Sequence, residues 1–224
     1  MLRIAMLVAG LGVIACQGEA STLDPAGPRA ATVARLAWVM TAAGVLVFVA
    51  VVAALLVAIR RSSSGAPLVA APSDARIIVA GGIVLPAIVI PLLWAMTLAD
   101  IASTATPPSP AVLTVEVTGH QWWYEVRYPD QGVSLVNEMR IPAGRVVALR
   151  ITSADVIHSF WIPRLTGKID MIPGRVNDHW VMADSPGRYP VACAEFCGIA
   201  HARMRMEVLA ERPEDFERWL SERR

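Results

Sequence analysis

The sequence predicts a membrane protein of mixed α + β class: an N-terminal hairpin of two transmembrane helices, then a β-barrel domain with Greek-key connections. Three observations carry this. Leu36 to Ile59 contains no charged residue, and neither does Ile77 to Ala99; each is long enough to cross a hydrocarbon core of about 30 Å as a helix. From Val112 onward, apolar and polar residues alternate in short runs separated by turn residues. The 224 residues are 55% hydrophobic and 17% charged, with a mean hydropathy of +0.50, too apolar for an ordinary soluble domain.

The first sixteen residues read as a secretory signal. Arg3 opens a short charged region and an apolar stretch runs from Ile4 to Ala15, too short to span a bilayer. The ending Val13-Ile14-Ala15-Cys16 resembles a bacterial lipobox, whose Cys is lipidated and becomes the mature N-terminus; an uncleaved signal with an ordinary buried Cys is the alternative. Residues 17–32 are small, polar and linker-like, and are expected on the periplasmic side. The transmembrane hairpin is expected over 33–105. Its second span carries Gly81, Gly82, Pro86 and Pro91, which membrane helices tolerate better than soluble ones. Between the spans, Arg60, Arg61 and Arg76 outweigh Asp74, so this loop is expected in the cytoplasm. The second span then returns the chain outward, where Thr106-Pro-Pro-Ser-Pro110 makes a stiff connector.

Residues 106–224 are expected as one exported domain. Val112-Leu-Thr-Val-Glu-Val117 alternates as a half-buried strand does. Trp122–Tyr128, Arg140–Ile141, Val146–Ile151, His179–Met182, Arg188–Ala192 and Met204–Leu209 continue the pattern. Pro129-Asp130, Pro142-Ala-Gly144, Pro173-Gly174 and Ser185-Pro-Gly187 supply the turns. Short strands at this spacing predict a Greek-key sandwich or barrel. A helix closes the chain, with Pro213 at its start, Glu214, Asp215 and Glu217 early and Arg223 and Arg224 last, matching the helix dipole. Acids and bases nearly balance in this domain, so net charge names no partner, and none of nucleic acid is expected.

The chemistry is concentrated in Cys193-Ala-Glu-Phe-Cys197-Gly-Ile-Ala-His201-Ala-Arg-Met204, with His158 upstream. Thiolate, imidazole and thioether form the soft-to-borderline donor set that suits copper. One Cys, two His and a weak axial Met would make a mononuclear centre; a second Cys lets two thiolates bridge two coppers. Zinc stays open, since two Cys and two His can hold it tetrahedrally, although Met204 has no part in such a site. A Cys193–Cys197 disulfide also stays open, closing a loop too short to stabilise much. So does plain core packing.

The motif resembles the binuclear copper site, CuA, of subunit II of haem-copper cytochrome c oxidases. Signal, two-span hairpin, connector and terminal copper-binding domain follow that family's order. Gly119-His120-Gln121-Trp122-Trp123-Tyr124 is similar to its aromatic segment beside the copper centre. Lys168-Ile-Asp170-Met-Ile-Pro-Gly-Arg175 is similar to its stretch facing subunit I. The resemblance implies a cupredoxin-like domain over 106–224. It implies that Cys193 and Cys197 bridge both coppers, that His158 and His201 cap them, and that Met204 and the Glu195 carbonyl are weak axial ligands. It implies an exposed Trp122 that takes electrons from cytochrome c; for Trp123 and Tyr124 plain core packing is expected instead, as for most aromatic clusters. The Glu195 side chain would reach a magnesium ion at the subunit I boundary. His120 and His179 have no place in the cluster and are expected to be structural.

The function so implied is electron uptake from cytochrome c and transfer to subunit I, which reduces oxygen to water. The chain would be one subunit of a proton-translocating cytochrome c oxidase, not catalytic alone, because neither span contains a His to hold haem. Its expected partners are subunit I, further oxidase subunits, cytochrome c and the membrane. Its expected place is the bacterial cytoplasmic membrane, multi-pass, with the C-terminal domain in the periplasm or on the outer face. One position departs from the family: Val79 stands where many members carry a Glu that opens a proton path, with Asp74 the nearest acid. A quinol oxidase subunit would have lost the copper ligands, and all six positions are intact here. A membrane-tethered copper carrier is the alternative; carriers favour exposed mononuclear sites, so two coppers per chain rather than one separates the readings.

Overall fold

A computed structural model describes residues 18–63 and 74–223. The expected signal with Cys16, and most of the loop between the spans, lie outside those residues. The chain divides into two compact units, one of Arg35–Thr106 and one combining the β domain with the segment up to Ala34.

Two helices make the first unit. One is α1 (Pro28–Ser63). The other is continuous through α2 (Asp74–Val79), a π-helical turn at Ala80–Val84 and α3 (Leu85–Ala105). Both are long and apolar enough to cross a membrane, 18-residue stretches within Pro28–Arg61 and Ala75–Ala105 reaching mean hydropathies of 3.0 and 2.5. Leu46, Phe48, Ile90 and Trp94 stand bare on their surfaces, as side chains facing lipid do. The π turn falls at Gly81-Gly82, where missing side chains loosen the helical ladder. Arg35 and Asp100 form an ion pair that joins the two helices.

Among the described residues, the second unit carries ten strands. They are β1 (Leu113–His120), β2 (Trp123–Tyr128), β3 (Val133–Val136), β4 (Glu138–Pro142), β5 (Val147–Ser153), β6 (His158–Phe160), β7 (Ile169–Met171), β8 (Asn177–Val181), β9 (Gly187–Ala192) and β10 (Arg205–Glu211). One sheet has the order β3-β2-β1-β5-β8, a second β4-β10-β9, and β6-β7 form a small ribbon. Along β1, Leu113, Val115, Val117 and Gly119 point inward while Thr114, Glu116 and Thr118 point out. β1 runs parallel to β5, with Val115 opposite Leu149 and Val117 opposite Ile151. The chain reaches β5 only after visiting the other sheet through β4, which is the expected Greek-key kind of connection. Tyr124, Val126, Met139, Ile141, Ile151 and Val208 from both sheets share one core. The closing helix α4 (Pro213–Ser221) adds Phe216, Trp219 and Leu220 to it. The architecture is therefore the expected one, two apolar helices followed by a β domain. The sequence pattern does not anticipate β3, β6 and β7, because three or four residues are too few for alternation to register.

The stretch expected as a linker is fastened to the β domain, and α1 already begins within it. Ala26 N–H donates to the Arg164 carbonyl at 2.7 Å, and the Ala26 carbonyl accepts from Asp184 N–H at 2.8 Å. Asp24 pairs with Arg164 at 3.0 Å, and the Arg29 guanidinium lies 5.0 Å over the Trp180 ring. Gly27 fits only because it lacks a Cβ, which would come within 2.5 Å of the Met182 carbonyl. The small residues here serve close packing, which composition alone reads as flexibility.

His179 on β8 is buried beside this segment, its Nε2 hydrogen-bonded to the Thr166 hydroxyl at 2.8 Å. Burial, and then the charge of Arg29, push its pKa down to about 3. An unfolded His titrates near 6.5, so below that pH the unfolded chain binds a proton that the folded chain refuses. Its stabilising contribution is present above pH ~6.5 and is lost as pH falls toward about 3. His179→Gln should remove that part of the acid slope, of the order of a few kcal/mol. Urea-unfolding midpoints of both proteins at neutral and mildly acidic pH check it; equal slopes would contradict it.

Candidate metal centre

His158 opens β6 and is fully buried. Gly119 on β1 makes room for it, since a Cβ there would lie 3.0 Å from the imidazole Cδ2. The His158 Nε2 lies 2.7 Å from Asp155 Oδ1. A carboxylate only accepts, so Nε2 carries the hydrogen and Nδ1 keeps its lone pair. That Nδ1 is buried and has no hydrogen-bond partner among the described residues. A buried lone pair without a partner is costly unless something ligates it. Burial would raise the Asp155 carboxyl, but hydrogen bonds from His158, Gln121 and Val156 hold it below the usual carboxylate range.

The remaining candidate ligands sit on the loop between β9 and β10. Ala194 N–H donates to the buried Ser159 hydroxyl at 2.6 Å, and Cys193 N–H to the Met204 carbonyl at 3.3 Å. These bonds fasten the loop to β6 on one side and to the start of β10 on the other. Gly198 turns the chain at φ +123°, a conformation that favours glycine, and a Cβ there would crowd the Trp122 ring at 3.2 Å. A 3₁₀ turn, His201–Arg203, then brings His201 back toward the thiols.

The Cys193 and Cys197 sulfurs are 3.8 Å apart, buried, and both free thiols, so the disulfide reading does not hold in this structure. Cys197 Sγ lies 3.6 Å from His201 Nδ1 and 3.8 Å from Met204 Sδ. Cys193 Sγ lies 3.2 Å from the Glu195 carbonyl oxygen. An imidazole nitrogen of His158 and both thiols fall within 4.8 Å of one another. The fold thus gathers the six residues His158, Cys193, Glu195, Cys197, His201 and Met204 at one place. Burial and the neighbouring Cys193 push the Cys197 thiol up to about 11. Two thiolates this close need a cation to offset their desolvation and mutual repulsion. Convergent soft donors, free thiols and an orphaned imidazole nitrogen fit a copper group.

Trp122 lies in the β1–β2 turn, and its Nε1–H donates to the Cys197 carbonyl at 3.2 Å. The resemblance implied an exposed ring; here it is half-buried, because it packs over Gly198. Trp123 is also only half-buried, stacked on His120 with centroids 4.2 Å apart. Tyr124 is fully buried and donates to the Ser159 carbonyl at 2.8 Å. The magnesium expected at Glu195 finds no support. The Glu195 carboxylate is ion-paired with Lys168, whose ammonium already occupies the place of a cation. Among the described residues, the metal-binding cluster is His158, Cys193 and Cys197, without the Glu195 side chain.

Sequence reasoning missed Gly119, Asp155, Ser159 and the Gln121 side chain. An acid three residues before a ligand His, as in Asp155-Val-Ile-His158, is the one readable signal among them.

Residues 133–211 match the family model described as cytochrome C oxidase subunit II, periplasmic domain. Cytochrome c oxidase subunit 2 of Alkalihalophilus pseudofirmus is 37% identical over 142 residues, covering 59% of this chain and 42% of that protein. Its counterpart in Thermostichus vulcanus is 45% identical over 107 residues, covering 48% of this chain and 32% of that protein. The chain thus spans less than half the length of these curated relatives. The crystal structure of the periplasmic domain of subunit II of cytochrome oxidase from Bradyrhizobium japonicum aligns at 33% identity and TM-score 0.49, over 51% of this chain and 95% of that one. Over residues 133–211 the β domain is thus similar to the periplasmic domain of cytochrome c oxidase subunit II, and the sequence to subunit 2 of these oxidases.

Proposed function

We propose that this chain takes electrons from a cytochrome c at a binuclear copper centre and hands them to a haem-copper partner subunit docked on its two helices. The observation that carries this reading is the meeting of two free thiols, 3.8 Å apart, with His158, His201 and Met204. When bound, a copper pair supplies a one-electron carrier whose charge is shared between two metals. The chain's own residues do the rest. Cys193 and Cys197 would hold the pair as thiolates, with His158 and His201 as further ligands and Met204 and the Glu195 carbonyl as weak ones. The hydrogen bonds that fasten the loop to β6 and β10 hold these donors in place, which would keep the reorganisation barrier of a bound copper pair low. Trp122 offers a route inward, from indole N–H to the Cys197 carbonyl and along that residue to its sulfur. Phe196 and Ile199, 81% and 96% exposed, give the loop an apolar rim suited to a transient redox partner. All four histidines lie in the β domain, so haem ligation and oxygen reduction fall to the partner subunit. The setting is the bacterial cytoplasmic membrane with the β domain on its outer face.

Met204 beside Cys197 distinguishes this set from a zinc site, which would not use it. The burial of His158, Cys193, Cys197 and Met204 distinguishes it from a carrier, which must release its metal. The test is to titrate the full chain in detergent with copper and record its paramagnetic resonance spectrum. The expected result is two coppers per chain and a seven-line hyperfine pattern, one spin shared by two nuclei. Four lines, a single copper, or a preference for zinc would overturn it.

A further inference from the structure

We propose that Asp155 is a positioning residue of the metal centre: it holds His158 with Nδ1 turned to the thiols and ties the Gln121–Trp122 turn to the same carboxylate. The proposal rests on the copper reading and adds to it the group that sets the ligand. Asp155 Oδ1 lies 2.7 Å from His158 Nε2 and accepts from Val156 N–H at 2.6 Å. Its Oδ2 accepts from Gln121 N–H at 2.7 Å. The Gln121 amide in turn donates to the Cys197 carbonyl at 2.8 Å, beside the Trp122 indole at 3.2 Å. A chain of contacts therefore runs from His158 through Asp155 and Gln121 to Cys197, and both its ends are candidate ligands. The carboxylate itself is held in place. Asp155 N–H donates to the Ser153 hydroxyl at 3.3 Å, and that hydroxyl donates to the Val156 carbonyl.

A neutral imidazole can carry its hydrogen on either nitrogen, and only the Nε2–H form presents a lone pair at Nδ1. An acceptor fixed at Nε2 selects that form, orients the ring and makes Nδ1 a stronger donor to a metal. Among the described residues no neighbour of Nδ1 does the same work, since that atom has no hydrogen-bond partner there.

Two measurements test this on the full chain in detergent. In the metal-free protein with ¹⁵N-labelled histidine, the His158 signals, identified by their loss in His158→Gln, should report hydrogen on Nε2. Hydrogen on Nδ1 would overturn the proposal, whatever the copper chemistry turns out to be. Copper competition against a chelator should then show Asp155→Ala binding about 10–100-fold more weakly, with an altered hyperfine pattern. Asp155→Asn, which keeps an acceptor oxygen, should recover most of the affinity, and it replaces the Ala variant if that one fails to fold. Glu116→Gln, which removes an acid paired with Arg150 on the outer face of β1, should behave as the native chain. Native affinity and an unchanged spectrum in Asp155→Ala, or an Asn variant as weak as the Ala variant, would overturn it. A native chain that binds no copper pair defeats the functional reading alone, since the tautomer still decides this one.

Discussion

Cys197→Ser should abolish the paired-copper spectrum and bring cytochrome c oxidation to background. Cys197 is the hub of the site: its sulfur lies 3.8 Å from Cys193 Sγ, 3.6 Å from His201 Nδ1 and 3.8 Å from Met204 Sδ. A hydroxyl is a harder donor, resists ionisation and cannot bridge two soft metal ions. Copper per chain should fall from two to one or none. The swap loses little volume and leaves the loop's backbone hydrogen bonds in place, so the fold should survive, as far-ultraviolet circular dichroism would show. Metal analysis and paramagnetic resonance of the folded variant check the result. A surviving seven-line pattern would mean that Cys197 does not bridge.

The second large effect is expected at the electron's way in. Trp122→Phe should leave copper content and spectrum as they are, yet slow reduction by cytochrome c to a small fraction of the native rate. The ring packed over Gly198 is largely kept by Phe, but the indole N–H to the Cys197 carbonyl is lost. Electron tunnelling weakens steeply across a through-space gap, and that hydrogen bond is what joins the indole to the backbone of Cys197, the proposed bridging ligand. Gln121 still holds the same carbonyl at 2.8 Å, so the metal loop should not relax. Stopped-flow reduction at saturating cytochrome c separates transfer from docking. A native rate would leave Trp122 with a packing role only.

These two residues show how unevenly the site can be read from a linear chain. The ligand loop was legible because Cys193, Cys197, His201 and Met204 follow one another within a single turn between strands, and their donor types are chemically distinctive. The two spans were legible because a helix in lipid must be apolar on every side, which leaves a long charge-free run. The half-buried setting of Trp122 was not legible, because it depends on Gly198 arriving from a loop far along the chain. Nor was the use of the Glu195 carboxylate, which Lys168 takes from a different loop.

The sequence by itself determined the class of the protein, its two apolar helices, the alternating strands of its main sheets and the donor set of its candidate metal centre. Each of these is written in local periodicity or in residue chemistry, which neighbours along the chain suffice to express. Only the tertiary structure decided that residues 24–34 are fastened to the β domain, that β6 carries His158, and that Asp155 and Gly119 set its orientation. Those features depend on pairs such as Gly119 with His158, or Ala26 with Arg164 and Asp184, brought together by strand order and close packing. A hydrogen bond or a missing Cβ has meaning only against its partner, and the partner is known only once the chain has folded.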